Sequence, residues 1–217
     1  MRQTGRFALT LVFGCLLALG LARASQAQDS FYGHLAYPEA NDADLLAVCT
    51  GNSKLLHKDA VQPLRVMIET ARSAGIDLRA LSCFRSIRNQ RWLFCRHVCD
   101  AAGTVCGGDC AGRKQSEAIR ALVSAPPGFS EHATGYAVDF GDGQNRRCDF
   151  ETCFGETEAG LWLIANAPAF GFELSFPESN RQGISFEPWH WRFVGTPAAL
   201  AIFTQARRLY PALPAVP

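Results

Sequence analysis

Asp139 lies inside the apolar run Tyr136-Ala137-Val138-Asp139-Phe140, and a chain that folds this run inward must give that carboxylate a partner. An unpaired buried carboxylate costs more free energy than a few apolar neighbours return. Candidate partners stand in two places. His132 precedes Asp139, with Gly135 between them where the backbone can turn sharply. Glu187 and His190 lie far down the chain in Glu187-Pro188-Trp189-His190. Two His, one Asp and one Glu are the donor set of a zinc hydrolase. Three ligands hold the metal, one coordination position stays open for water, and a separate carboxylate takes that water's proton. The competing reading pairs Asp139 with Arg85 or His190 without metal and packs His190 between Trp189 and Trp191 as a core histidine. Four suitable residues in two segments favour the metal.

The second segment is not a metalloprotease helix. In H-E-x-x-H, ligands and base share one helix face. Here Pro188 and the aromatic neighbours Trp189, Trp191 and Phe193 point to a strand. Strand positions three apart face opposite sides, so Glu187 must sit in the loop before the strand, or on a bulge, to share a site with His190.

The rest of the chain reads as a mixture of helices and strands without a βαβ rhythm. Helices are expected over Asp59–Ser73, from a Ser86 cap through Cys99, over Lys114–Ser124, over Thr157–Asn166 and from Pro197 to about Leu209. Strands are expected over Ile76–Cys83, Tyr136–Phe140, Phe172–Phe176 and Trp189–Val194. Pro63 is placed in the first turn of its helix, where proline is tolerated. The expected class is α+β, with a small, largely antiparallel central sheet flanked by helices.

Residues 1–27 are expected to be a secretory signal peptide: Arg2 and Arg6 precede the apolar run Phe7–Leu21, and small residues follow. Cleavage would remove Arg2, Arg6 and Arg23 and no acid, taking the formal net charge from +1 to −2. Neither a nucleic-acid partner nor stable membrane insertion after cleavage is expected. Residues 28–54 read as an irregular N-terminal arm, and 55–217 as the functional domain. The chain is expected to act as a monomer, exported to the periplasm or the exterior of the cell envelope.

Of nine cysteines, Cys15 falls in the leader, and an even set of eight in an exported chain reads as disulfides. Cys95-x3-Cys99 and Cys106-x3-Cys110, with glycines between them, suggest a nested excursion over 95–110. The expected pairs are Cys95–Cys110, Cys99–Cys106, Cys148–Cys153 and Cys49–Cys83. A structural zinc site is the rival reading of the four clustered cysteines.

Ser130-x-His132-x-x-Gly135-x-Ala137-x-Asp139 with Glu187-x-Trp189-His190 resembles the VanY-like D-alanyl-D-alanine carboxypeptidases. These are zinc metallopeptidases of the group that includes lysostaphin-type enzymes and the hedgehog signalling domain. Leu81-Ser82-Cys83-Phe84-Arg85-Ser86-x-x-x-Gln90 resembles a further stretch of that family, with Cys83 and Phe84 where the family commonly has Gly and Tyr. The likeness covers roughly Leu55 to Tyr210 and implies a hedgehog/D-Ala-D-Ala-peptidase-like fold. It implies one zinc ion held by His132, Asp139 and His190, with Glu187 as general base. Arg85 would be catalytic and substrate-binding near the scissile bond, and Gln90 and Ser130 would line the substrate. The implied reaction is D,D-carboxypeptidase cleavage of peptidoglycan stem peptides. Alternatives are L,D-carboxypeptidase, dipeptidase or endopeptidase cleavage of the same polymer, or a silent zinc-stabilised binding module.

Overall fold

In α1 (Lys58–Ser73) the buried residues Ala60, Val61, Leu64, Met67 and Ala71 recur three and four apart, so one face packs inward. The computed structural model describes residues 30–48, 54–99, 105–106, 115–178 and 180–209. The helix starts one residue earlier than expected. Pro63 falls in its second turn, not its first, and the Asp59 carbonyl goes without its helical donor. Ahead of α1 lie β1 (Ser30–Phe31), β2 (His34–Leu35), β3 (Leu45–Ala47) and β4 (Leu55–His57). After it come β5 (Leu78–Ser82), α2 (Ile87–Cys95), α3 (Glu117–Ala121) and β6 (Ala137–Asp142). The chain continues through α4 (Glu158–Asn166), β7 (Phe172–Leu174), β8 (His190–Phe193) and α5 (Pro197–Leu209).

The central sheet has the order β5-β6-β8-β7, and every pair is antiparallel. This is the expected α+β architecture. β6 is buried along its whole length. Val138 and Phe140 of β6 and Trp191 and Phe193 of β8 enter one core with Leu64 and Met67 of α1, Leu163 of α4 and Phe203 of α5. Serine and threonine caps set the helix starts: Ser86 Oγ accepts from Asn89 N at 3.1 Å, and Thr157 Oγ1 accepts from Gly160 N at 3.1 Å.

Two expectations need correction. The N-terminal arm is not irregular, since β1 pairs with β2 and β3 pairs with β4. The nested disulfides are not formed. α2 ends at Cys95, so Cys95 and Cys99 do not share a helical face, and Cys95 joins Cys106. That bond excludes both Cys95–Cys110 and Cys99–Cys106, although Cys99 is itself disulfide-bonded. Cys83 is buried in the main core, and the expected pair Cys49–Cys83 involves Cys49, which lies outside the described residues. Cys148–Cys153 forms as expected. The excursion also has apolar content of its own: Phe94, Val98 and Ala121 form a small second core against Cys95, Val105 and Cys106. The expected signal peptide lies outside the described residues, and no helix among the described residues is long and apolar enough to cross a membrane.

Gly135 carries the turn between the Glu131–Thr134 3₁₀ turn and β6 at φ +73°. A Cβ there would lie 2.9 Å from Leu45 Cδ2 and 3.2 Å from His57 N. Gly75 has φ +82° but open space around it. Gly135→Ala should therefore cost about 2–3 kcal/mol and Gly75→Ala only about 1 kcal/mol, read as the drop in thermal unfolding midpoint. Equal drops would show that the close approach under Gly135 does not matter.

Candidate active site

The register of β6 against β8 assembles the site. Asp139 and His190 are direct cross-strand partners, so their side chains rise from the same face of the sheet. The period of two then points Trp191 and Phe193 into the core and leaves His190 and Arg192 on the site face. His132 arrives from the 3₁₀ turn that precedes β6. Its Nδ1 lies 2.7 Å from the Cys83 carbonyl oxygen, and its Nε2 lies 3.1 Å from Asp139 Oδ2. His190 Nδ1 lies 2.9 Å from Asp139 Oδ1. One ligand atom from each of the three residues lies within 4.8 Å of the others, and all three residues are buried. Two imidazoles and one carboxylate at this spacing fit a zinc ion, whose Zn–N and Zn–O bonds are about 2.0–2.2 Å.

Glu187 sits in the loop before β8, as its spacing from His190 requires, and the His190 N–H donates to the Glu187 carbonyl at 3.0 Å. Burial, together with the charges of Asp139 and Glu131, raises its carboxyl pKa to about 7, although His190 and Arg85 pull the other way. Arg85 follows β5, and its backbone N–H donates to the His132 carbonyl at 3.1 Å. Its Nε is buried without a hydrogen-bond partner. Burial pulls the guanidinium below its ordinary pKa against the opposing charges of Asp139 and Glu187.

These groups line one cavity of about 750 Å³, together with Ser130. The Ser130 side chain is buried there and makes no cap hydrogen bond. Gln90 is the residue that departs from expectation. It is buried outside the cavity lining, and its Nε2 donates to the Ala125 carbonyl and to Ser124 Oγ. It thus shapes the wall through Ser124 and Ala125, both of which do line the cavity.

Glu131 was not singled out by the sequence. Its carboxylate lies 3.1 Å from His190 Nε2, accepts from Ser175 Oγ at 2.6 Å and Tyr37 Oη at 3.2 Å, and pairs with Arg192 Nη1 at 2.7 Å. Burial opposes its charge, yet Arg192 first and then His190 hold its carboxyl well below the usual carboxylate range. The same balance holds for Asp139, where burial is outweighed by His132 and His190. For His190, burial is outweighed by Asp139 and Glu131, and the metal-free imidazole is raised to about 10. The signal for this network was the alternation His190-Trp191-Arg192-Phe193, which puts a buried arginine on the ligand face and demands an acid beside it.

The geometry has counterparts among known proteins. The family model described as VanY, D-alanyl-D-alanine carboxypeptidase, matches residues 53–196. YodJ of Bacillus subtilis (strain 168) is 34% identical over 152 residues, 69% of this chain and 50% of its own length. The chain spans half or less of the length of the curated relatives it matches. Among solved structures, the LdcB LD-carboxypeptidase superposes with a TM-score of 0.58 at 28% identity, over 75% of this chain and 73% of that one. VanYB in complex with D-alanine-D-alanine gives 0.57 at 27% identity, over 79% and 88%. With its paired motifs folded into one cavity and its matched stretch covering most of the described residues, the chain belongs to the VanY family of D-alanyl-D-alanine carboxypeptidases.

Proposed function

We propose that this protein is a zinc-dependent D,D-carboxypeptidase that hydrolyses the terminal D-alanyl-D-alanine bond of peptidoglycan stem peptides. It acts as an exported monomer in the periplasm or at the exterior of the cell envelope. The observation that carries the reading is the placement of Glu187, a carboxylate that lines the same cavity as the cluster of His132, Asp139 and His190 without being part of it. His132, Asp139 and His190 would hold one zinc ion. Zinc bound there supplies Lewis acidity that makes water an available nucleophile near neutral pH.

The chain's own groups do the rest. Glu187 accepts the proton of the attacking water and returns it to the leaving amine, a task suited to a carboxylate that shares the cavity with the metal ligands. Arg85 faces the negative charge that develops on the carbonyl oxygen, and its fork has no acid partner among the described residues to release first. Ser130 lies against the substrate along the cavity wall. Glu131 holds His190 by Nε2 and so keeps Nδ1 turned to Asp139, the arrangement by which an outer carboxylate orients a metal-binding imidazole. Retention of both Glu187 and Arg85 argues against a silent binding module.

The substrate follows from the family and from the complex of VanYB with D-alanine-D-alanine. The likeness to the LdcB LD-carboxypeptidase favours a second reading, L,D cleavage of the same stem peptides. The zinc-loaded protein should release one D-alanine from a pentapeptide, followed by amino-acid analysis. Release from a tetrapeptide alone would favour the second reading. Glu187→Gln should lower kcat by at least about 100-fold with zinc content unchanged. Zinc-loaded protein that releases no amino acid from either peptide would overturn both readings.

Glu187 also makes stability depend on pH. In the zinc-free protein its pKa near 7 stands above an ordinary 4.5. A group raised in this way contributes stability that is present below about 4.5 and lost as pH rises to about 7. Zinc-free Glu187→Gln should therefore outlast zinc-free wild type at pH 8, by at most on the order of 3 kcal/mol, with the gap closing toward pH 4.5. A gap that widened toward low pH in thermal unfolding would contradict the burial of this carboxylate.

Glu131→Gln should weaken zinc affinity by about 10–100-fold, measured by competition with a chelator. It should also lower the unfolding midpoint, because buried Arg192 loses one of its carboxylate partners and keeps Glu173. Unchanged zinc affinity in a folded Glu131→Gln protein would show that His190 is oriented without it.

A further inference from the structure

Two more arginines line the cavity that holds Glu187 and Arg85, and the reaction as derived uses neither. Arg96 lies just past the end of α2, and Arg120 lies on α3, so both flank the disulfide-clipped excursion. Arg120 is half-buried, and its Nε is buried without a hydrogen-bond partner. Arg96 stacks its guanidinium 4.8 Å above the Trp92 ring and donates from Nε to His97 Nε2 at 2.9 Å. Among the described residues no carboxylate is ion-paired to Arg85, Arg96 or Arg120.

The obvious partner for Arg120 is Glu117, three residues earlier on the same helix. Glu117 is turned the other way: its Oε1 accepts from the backbone N–H groups of Val105 and Cys106 at 2.8 and 3.1 Å. The acid next to the arginine thus holds the excursion in place and leaves the cation facing the cavity. Burial first, and then the nearness of Arg96 and Arg85, pulls Arg120 below its ordinary pKa. Two like charges on one wall repel, and a fold that keeps them there gains most when an anion joins them.

The geometry points to a second anion subsite in which Arg120, with Arg96 beside it, binds a carboxylate of the substrate other than the reacting group. This rests on the stem-peptide reading above. Two carboxylates of such a peptide have the right chemistry: the C-terminal one, and a side-chain one on a diamino acid nearer the amino end. A planar guanidinium suits either, because its donors form a fork that matches two carboxylate oxygens.

The test is equilibrium binding by calorimetry to zinc-loaded Glu187→Gln protein, with and without Arg120→Met, which does not depend on turnover. The ligands are a pentapeptide with both carboxylates free, the same peptide as its C-terminal amide, and one with lysine in place of the diamino acid that carries the side-chain carboxylate. Arg120→Met should weaken binding of the free peptide by at least about 10-fold, and Arg120→Lys should recover part of that loss. For the peptide that lacks the carboxylate in question, the effect of Arg120→Met should vanish. Vanishing with the amide identifies the C-terminal carboxylate, and vanishing with lysine identifies the side chain. An equal loss on all three peptides, or no loss on any, overturns the subsite. Wild-type protein that releases no amino acid while the binding pattern holds would instead refute the catalytic reading and leave the subsite standing.

Discussion

The pairing of Asp139 with His190 across β6 and β8 is the contact on which the site depends. It places a carboxylate and an imidazole on one face of a buried sheet, where each satisfies the other and both are almost wholly buried at the cavity wall. A slip of one residue would bring Trp191 to the ligand face and send His190 into the core. The core prevents that slip: Trp191 and Phe193 on β8, with Val138 and Phe140 on β6, fill the opposite face. Apolar packing on one side of the sheet therefore fixes the metal-ligand geometry on the other. The irregularity between Ala80 and Ser82 of β5 brings Ser82 opposite Asp139, and Arg85 follows just after that strand end.

Behind the ligands runs a line of alternating charge. His190 meets Glu131, Glu131 meets Arg192, Arg192 meets Glu173, and Glu173 meets Arg207 on α5 at the half-exposed end. Buried ions are costly singly, and this line leaves none of them single. Glu187 stands apart from it, close enough to Asp139 and Glu131 to be raised by them but without a tight cation of its own. One carboxylate in the cavity is held ionised by its partners while another is left able to exchange a proton. That division is what proton transfer at the site requires. A dication among the three ligands would favour the ionised form of Glu187 and so bring it further toward the role of base.

The residues whose chemistry is unusual for their surroundings were legible in the sequence. Asp139 in an apolar run, and His190 among aromatics after Glu187-Pro188, could be placed at one site before any fold was known, as could the loop position of Glu187. Glu131 was not, because a glutamate beside a serine and a histidine reads as a surface cap until Arg192 is known to be buried opposite it. Gln90 misled for a related reason. Its side chain could have faced the cavity or the neighbouring loop, and only the fold puts Ser124 and Ala125 within its reach. The nested pair of disulfides failed on a helix end: periodicity carried α2 through Cys99, whereas the helix stops at Cys95 and the chain turns through Arg96 and His97. Cysteine spacing alone does not contain that stop.

The two halves of the cavity are built by different physics. The ligand face belongs to the sheet and shares the main core, so a change in it is resisted by everything packed beneath. The opposing wall, with Arg96 and Arg120, belongs to α2, α3 and the excursion between them. It rests on a small separate core, the Cys95–Cys106 disulfide, the disulfide of Cys99 and the Glu117 contacts to Val105 and Cys106. Those fastenings do not touch His132, Asp139 or His190. Side chains on that wall can therefore change the shape and charge offered to a substrate without disturbing the register that makes the metal site, which separates the choice of substrate from the chemistry performed on it.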